Sequence, residues 1–265
     1  MGRKKVQTYL LDDSIALEDG IKKALKILEL DRAAQYLDKI KDSIEKEKTL
    51  HLLNRILDEE LKKREDLRIE RWIKQARFTW MKTIEEYDFN YPKEINRDLI
   101  LTLAEGNWIV NGGNIIFLGP AGVGKTHLAI ALGIKAIQKG YETRFLSGQS
   151  IADTIDIAVQ KDNELGRGEA KRKLLSSFVS PKLLILDDFI YNDNLNSNPE
   201  VSKFLFQIIF KRHEARKSII FTANEHFSKW SPDLFGSEVR KSVAIDRLLQ
   251  DCKVISIKGT SYRQE

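Results

Sequence analysis

The stretch Gly119-Pro-Ala-Gly-Val-Gly-Lys-Thr126 constrains this chain more than any other segment. It fits G-x-x-x-x-G-K-[ST], a phosphate-binding loop. Asn114 to Leu118 before it is a short apolar run that reads as a buried strand, and Leu128 to Gln138 after it is rich in Ala and Leu and reads as a helix. Strand, glycine turn and helix form the frame such a loop needs. The glycines let the backbone wrap a triphosphate with its N–H groups inward, and the helix N-terminus adds the favourable end of its dipole. Gly119, Pro120, Ala121, Gly122, Val123, Gly124, Lys125, Thr126 and His127 are therefore the expected nucleotide-binding residues. Lys125 is expected to reach the β- and γ-phosphates, and the Thr126 hydroxyl to ligate Mg²⁺.

From residue 114 onward the apolar pattern alternates between strand and helix. Expected strands are 114–118, 142–146, 182–187, 217–223 and 252–257, with helices at 125–139, 148–160, 168–178, 199–215 and 239–250. This predicts an α/β fold with a largely parallel sheet flanked by helices. Residues 1–88 hold no proline and only Gly2 and Gly20, with Ile21, Leu25, Leu28, Leu50, Leu53, Leu57 and Leu61 at helical spacing. They predict a small all-α N-terminal region of two to four helices. Tyr87 to Asn96, with Pro92, reads as a linker, and Arg97 to Gly106 as a further helix. The expected division is 1–88, a helical domain for DNA or partner binding, and 89–265, the nucleotide-binding domain. Asn192 to Pro199 reads as a polar surface loop.

No run approaches 18 apolar residues and no apolar leader segment opens the chain, so neither a membrane span nor a secretory signal is expected. Cys252 is the one cysteine and the four histidines are scattered, which excludes a cysteine framework or a His/Cys metal site. A cytoplasmic protein is the expectation. The net charge of +5 is compatible with a polyanionic partner. Between Lys62 and Lys82, eight basic residues (Lys62, Lys63, Arg64, Arg68, Arg71, Lys74, Arg77, Lys82) stand against three acidic ones, with Trp72, Phe78 and Trp80 interleaved. Two readings are open: a surface that contacts a DNA backbone, or a solvated helix face whose aromatics pack on the next domain.

Leu183-Leu-Ile-Leu-Asp-Asp188 is an apolar strand ending in two carboxylates. Asp187 is expected beside the loop as the Mg²⁺-associated carboxylate, and Asp188 to orient or deprotonate the attacking water. Ser218 to Thr222 is a further apolar run, ending at Ala223-Asn224. Asn224 either holds the water or γ-phosphate, or simply forms the turn. Arg240 and Arg247 lie on the last helix, where Arg247 could pair with Asp246 or reach a neighbour's γ-phosphate.

Taken together, these segments resemble the IstB-type ATPases, helper proteins of insertion-sequence transposition and relatives of the DnaC and DnaI helicase loaders within the AAA+ class. The resemblance is carried by Gly119 to Gly133, Gln75 to Phe89, Leu183 to Asp188, Thr222-Ala-Asn-Glu-His-Phe-Ser-Lys-Trp230, and Ala244-Ile-Asp-Arg-Leu-Leu249 followed by Val254 to Arg263. It covers about residues 70–263, and its C-terminal signature is more specific than its P-loop. The resemblance implies a P-loop AAA+ core using ATP and Mg²⁺, with Asn224 as sensor and Arg247 acting in trans. It also implies homo-oligomers on duplex DNA and a transposase partner. A helicase loader on single-stranded DNA is the alternative. A small-molecule P-loop kinase fits less well, since no lid or acceptor insertion is evident, and an adaptor touching DNA only through its partner is the remaining reading. The family usually ends this strand in Asp-Glu where this chain has Asp187-Asp188, so slow hydrolysis is expected.

Overall fold

A computed structural model of the chain describes residues 14–37, 44–90, 95–165, 168–188 and 199–259. It forms two compact units, Met1–Arg71 and Trp72–Glu265. In the first unit, helices α1 (Ser14–Ile27) and α2 (Asp31–Leu37) and the start of α3 (Ile44–Ala76) share one core. Ile21, Leu25 and Leu28 of α1 meet Leu50, Leu57 and Leu61 of α3 in it, with Leu53 half-buried against them. Three- and four-residue spacing puts each set on a single helix face.

The second unit is built on a five-stranded sheet, β1 (Asn114–Leu118), β2 (Thr143–Ser147), β3 (Leu183–Asp187), β4 (Ser218–Ala223) and β5 (Cys252–Ser256). The order is β2-β3-β4-β1-β5 and every pairing is parallel. Helices α4 (Arg97–Ala104), α5 (Asn107–Val110), α6 (Lys125–Gln138), α7 (Gly148–Leu165), α8 (Glu169–Val179), α9 (Pro199–Glu214) and α10 (Glu238–Leu249) surround it. Strands β1, β3 and β4 are buried along their whole length because both faces are covered, which is why they read as unbroken apolar runs. Alternate residues of β1 serve opposite cores: Ile115 and Phe117 pack with α6, Ile116 and Leu118 with α9. On β5, Lys253, Val254 and Ser256 stay exposed, as suits an edge. Among the described residues, no helix is long and apolar enough to cross a membrane.

The strands and helices of this unit match the predicted ones to within a few residues. The two compact units divide at Arg71/Trp72, within α3. Four apolar side chains beyond the helix pack in the core of the second unit. Ile84 and Tyr87 are buried in the α6 core, with Phe78 and Phe89 packed against it, and Phe78 meets Phe145 edge-on at 6.1 Å. Helix α3 itself ends where Arg77 takes a left-handed backbone, φ 59°. The polar loop at 192–198 and the signature residues 260–263 lie outside the described residues.

Arg212 of α9 ties the far end of the sheet together. It is fully buried, and its guanidinium donates to the carbonyls of Phe178 (2.7 Å), Pro181 (3.0 Å), Lys182 (3.1 Å) and Ser218 (2.6 Å). Those oxygens end α8 and precede or open β3 and β4. Burial pulls its pKa down to about 9, so the group stays charged at neutral pH. Arg212→Met keeps the length but leaves these carbonyls without their donor, and is expected to cost about 3 kcal/mol. In a unit of this size that lowers Tm by about 10 °C, and thermal unfolding checks it. A shift within error would show that these bonds add nothing to stability.

Candidate nucleotide site

The sheet order decides where the site forms. Strand β4 lies between β1, which feeds the P-loop, and β3, which ends at Asp187. The C-terminal ends of all three strands therefore bring together residues far apart in sequence, at the position where parallel α/β sheets bind ligands. Two glycines make the loop possible. Gly119 has φ 151°, and a Cβ there would lie 2.2 Å from the Ile257 carbonyl. Gly124 has φ 92°, and a Cβ there would meet the Tyr87 ring at 2.6 Å. Gly124 also precedes α6 without capping it through a side chain, so the amides of the first turn are left for an anion.

Lys125 is buried in the loop, and its ammonium donates to the carbonyls of Gly119 (2.8 Å) and Pro120 (2.7 Å) and to Asn224 Oδ1 (2.6 Å). Burial lowers its pKa, while Asp188 and Asp187 pull it back up. The Thr126 hydroxyl donates to Asp187 Oδ1 at 2.8 Å. Burial raises the pKa of Asp187, opposed by the hydroxyls of Thr222 and Thr126. Asp188 is exposed with a left-handed backbone, φ 50°, and Asn224 Nδ2 donates to its Oδ1 at 3.3 Å. Lys125, Thr126, Asp187, Asp188 and Asn224 thus form one hydrogen-bonded group. A hydroxyl and a carboxylate 2.8 Å apart suit a hard divalent ion. Among the described residues no cluster of three or more His, Cys, Asp or Glu gathers anywhere. Mg²⁺ here would rest on Thr126 and Asp187, with phosphate oxygens completing its shell, and would neutralise charge on the phosphates.

Sequence reasoning missed the wall of this site. A cavity of about 560 Å³ runs from Gly122 and Lys125 to Trp80, Lys82, Glu86 and Asp88. The segment is fastened to the loop at two points. The Tyr87 hydroxyl donates to the Val123 carbonyl at 3.2 Å, and His127 Nε2 lies 2.7 Å from the Thr83 carbonyl. Burial pushes the Tyr87 phenol up to about 12 and lowers the pKa of His127, so both are neutral at pH 7. Thr222 was missed as well. A hydroxyl after the apolar run Ile219–Phe221, two residues before Asn224, was the signal available.

Arg247 does not join the group. Its guanidinium lies 4.0 Å over the Phe210 ring, and its buried Nε has no hydrogen-bond partner among the described residues. It borders a cavity of about 440 Å³ beside Gly112, Asn114, Lys217 and Asp251, at the N-terminal ends of β1, β4 and β5. That is the opposite end of the sheet from the P-loop. The basic residues are divided as well. Lys62, Lys63, Arg64, Arg68 and Arg71 belong to the first unit, and Lys74 and Arg77 to the second. Lys62, Lys63, Arg64, Arg71, Lys74 and Arg77 are exposed, but Arg64 pairs with Glu60 at 2.6 Å and Arg68 pairs with Glu65.

A model of the IstB-like ATP-binding protein family matches residues 21–265. A protein of insertion sequence IS21 from Pseudomonas aeruginosa, described as ATP-binding, is 36% identical over 207 residues, 78% of this chain and 74% of that one. A counterpart of insertion sequence IS232 from Bacillus thuringiensis is 34% identical over 241 residues, 90% of this chain and 92% of that one. Among solved structures, DnaI superposes with a TM-score of 0.54 at 17% identity, over 66% of this chain and 90% of that chain. The replication initiator DnaA bound to AMPPCP and single-stranded DNA gives 0.53 at 22% identity, over 67% of this chain and 50% of that chain. The fold is that of a P-loop AAA+ core.

Proposed function

The chain belongs to the family of IstB-like ATP-binding proteins, and on that premise we propose that it is an ATPase helper of transposition. It binds ATP with Mg²⁺, assembles with copies of itself on duplex DNA, and assists a transposase at the target site. The observation that carries this reading is the Thr126–Asp187 hydrogen bond, which closes phosphate loop and acidic strand end into one site. The matched relatives, described as ATP-binding proteins of insertion sequences, supply the context of transposition.

In this reading Lys125 holds the β- and γ-phosphates, Thr126 and Asp187 hold Mg²⁺, and Asp188 with Asn224 orients the attacking water. Asp188 is one methylene shorter than glutamate and is anchored by Asn224, which supports slow turnover suited to a timer. Arg247 completes the site of a neighbouring copy. The first unit serves DNA or partner binding, and the exposed Lys62, Lys63 and Arg71 with the net charge of +5 support a phosphate-backbone contact. Such work takes place in the cytoplasm, where the DNA is. ATP drives assembly only to the extent that it binds the assembled state more tightly than the free one.

The test is a gel-shift on matched duplex and single-stranded DNA, with and without a non-hydrolysable ATP analogue, across a salt series. Analogue-dependent, higher-order binding to duplex that weakens steeply with salt is the expected result. Preference for single strands would replace this reading with a helicase loader. Absence of DNA binding under every condition would leave an ATPase acting through a protein partner.

A further inference from the structure

Thr222 is fully buried, in a strand whose other inner residues are apolar. A hydroxyl has one hydrogen to give and lone pairs to receive with, and Thr222 uses both. It donates to Asp187 Oδ1 at 2.7 Å and accepts from the backbone N–H of Asp188 at 2.9 Å. Asp187 Oδ1 is thus gripped from two sides, by Thr126 of α6 and by Thr222 of β4. These bonds fix the carboxylate's rotamer. The bond to the Asp188 N–H braces the left-handed turn that aims the Asp188 side chain at Asn224. Thr222 is not among the residues that line the phosphate cavity.

We propose that Thr222 is a positioning residue that sets the site's affinity for Mg²⁺ by orienting Asp187. The proposal rests on the reading of this group as a Mg²⁺–ATP site. Partners one step out from a metal typically change metal affinity 10- to 100-fold when removed. Thr222→Val keeps the branched shape and removes the hydroxyl, while Thr222→Ser keeps the hydroxyl.

Binding of a fluorescent, non-hydrolysable ATP analogue is measured in EDTA and across a Mg²⁺ titration for wild type and both variants. The expected result is unchanged affinity in EDTA for all three, a Mg²⁺ half-saturation about tenfold higher in Thr222→Val, and wild-type behaviour in Thr222→Ser. A wild-type Mg²⁺ response in Thr222→Val would overturn the proposal. So would equal weakening with and without Mg²⁺, which marks a purely structural residue, or a serine variant that behaves like valine. A wild type that binds the analogue without any response to Mg²⁺ would remove the reading of the site itself.

Discussion

Arg247→Ala is expected to lower ATP turnover on the order of 10³-fold while leaving nucleotide affinity unchanged, the signature of an arginine that meets only the transition state of a neighbour's phosphate. The geometry leaves little room between. Arg247 sits at the N-terminal ends of the strands, and the five residues of β1 separate that end from the loop. At about 3.3 Å per residue, that is roughly 15 Å, beyond the reach of an arginine side chain. Its own protomer's ATP is therefore out of range. Its ring contact with Phe210 holds the guanidinium, and the buried Nε has no hydrogen-bond partner among the described residues. Single-turnover and steady-state rates with a binding titration measure the effect. Unchanged turnover would remove Arg247 from the chemistry, and lost binding would make it part of the fold.

Lys125→Ala is expected to abolish both hydrolysis and ATP-dependent assembly, with turnover falling at least about 10²-fold. The ammonium bonds three oxygens of the loop and of Asn224, and it faces the carboxylates of Asp187 and Asp188. Phosphate oxygens can take the place of those acceptors at little cost. Without the cation, a triphosphate would enter beside two carboxylates with no fixed positive charge to offset them. Mixing this variant with Arg247→Ala separates the two roles. Each lacks a different part, so some neighbouring pairs regain an intact site and the mixture should be more active than either variant alone. No recovery in the mixture would argue against an arginine supplied in trans.

The strands of the α/β unit were legible because each central strand is buried on both faces, which writes itself into the chain as Asn114–Leu118 and Leu183–Leu186. The position of Asp187 was legible for the same reason, since it ends such a run, and Lys125 and Thr126 were legible from the glycine-loop spacing that follows the first run. The wall of the cavity was not. Trp80 to Asp88 falls where the sequence reads as the end of a charged helical region running into the linker at Tyr87, and only packing in three dimensions shows Tyr87 against Gly124. Absence of glycine and proline marks helix, not where a core begins, so the division of the compact units at Arg71/Trp72 was not legible either. Thr222 was overlooked because a threonine in a strand is ordinary, and its meaning depends on a partner 35 residues away along the chain.

A P-loop at one end of a sheet and Arg247 at the other make the two halves of any shared site different surfaces of the same molecule. Head-to-tail stacking of copies would bring one copy's Arg247 end to the next copy's P-loop, closing into a ring or running on as a helix. An open stack of n copies would then hold n − 1 complete sites. Turnover per protomer would rise with protein concentration and level off as the stacks lengthen, and a terminal copy with nothing docked on its nucleotide would be the one that keeps its ATP longest.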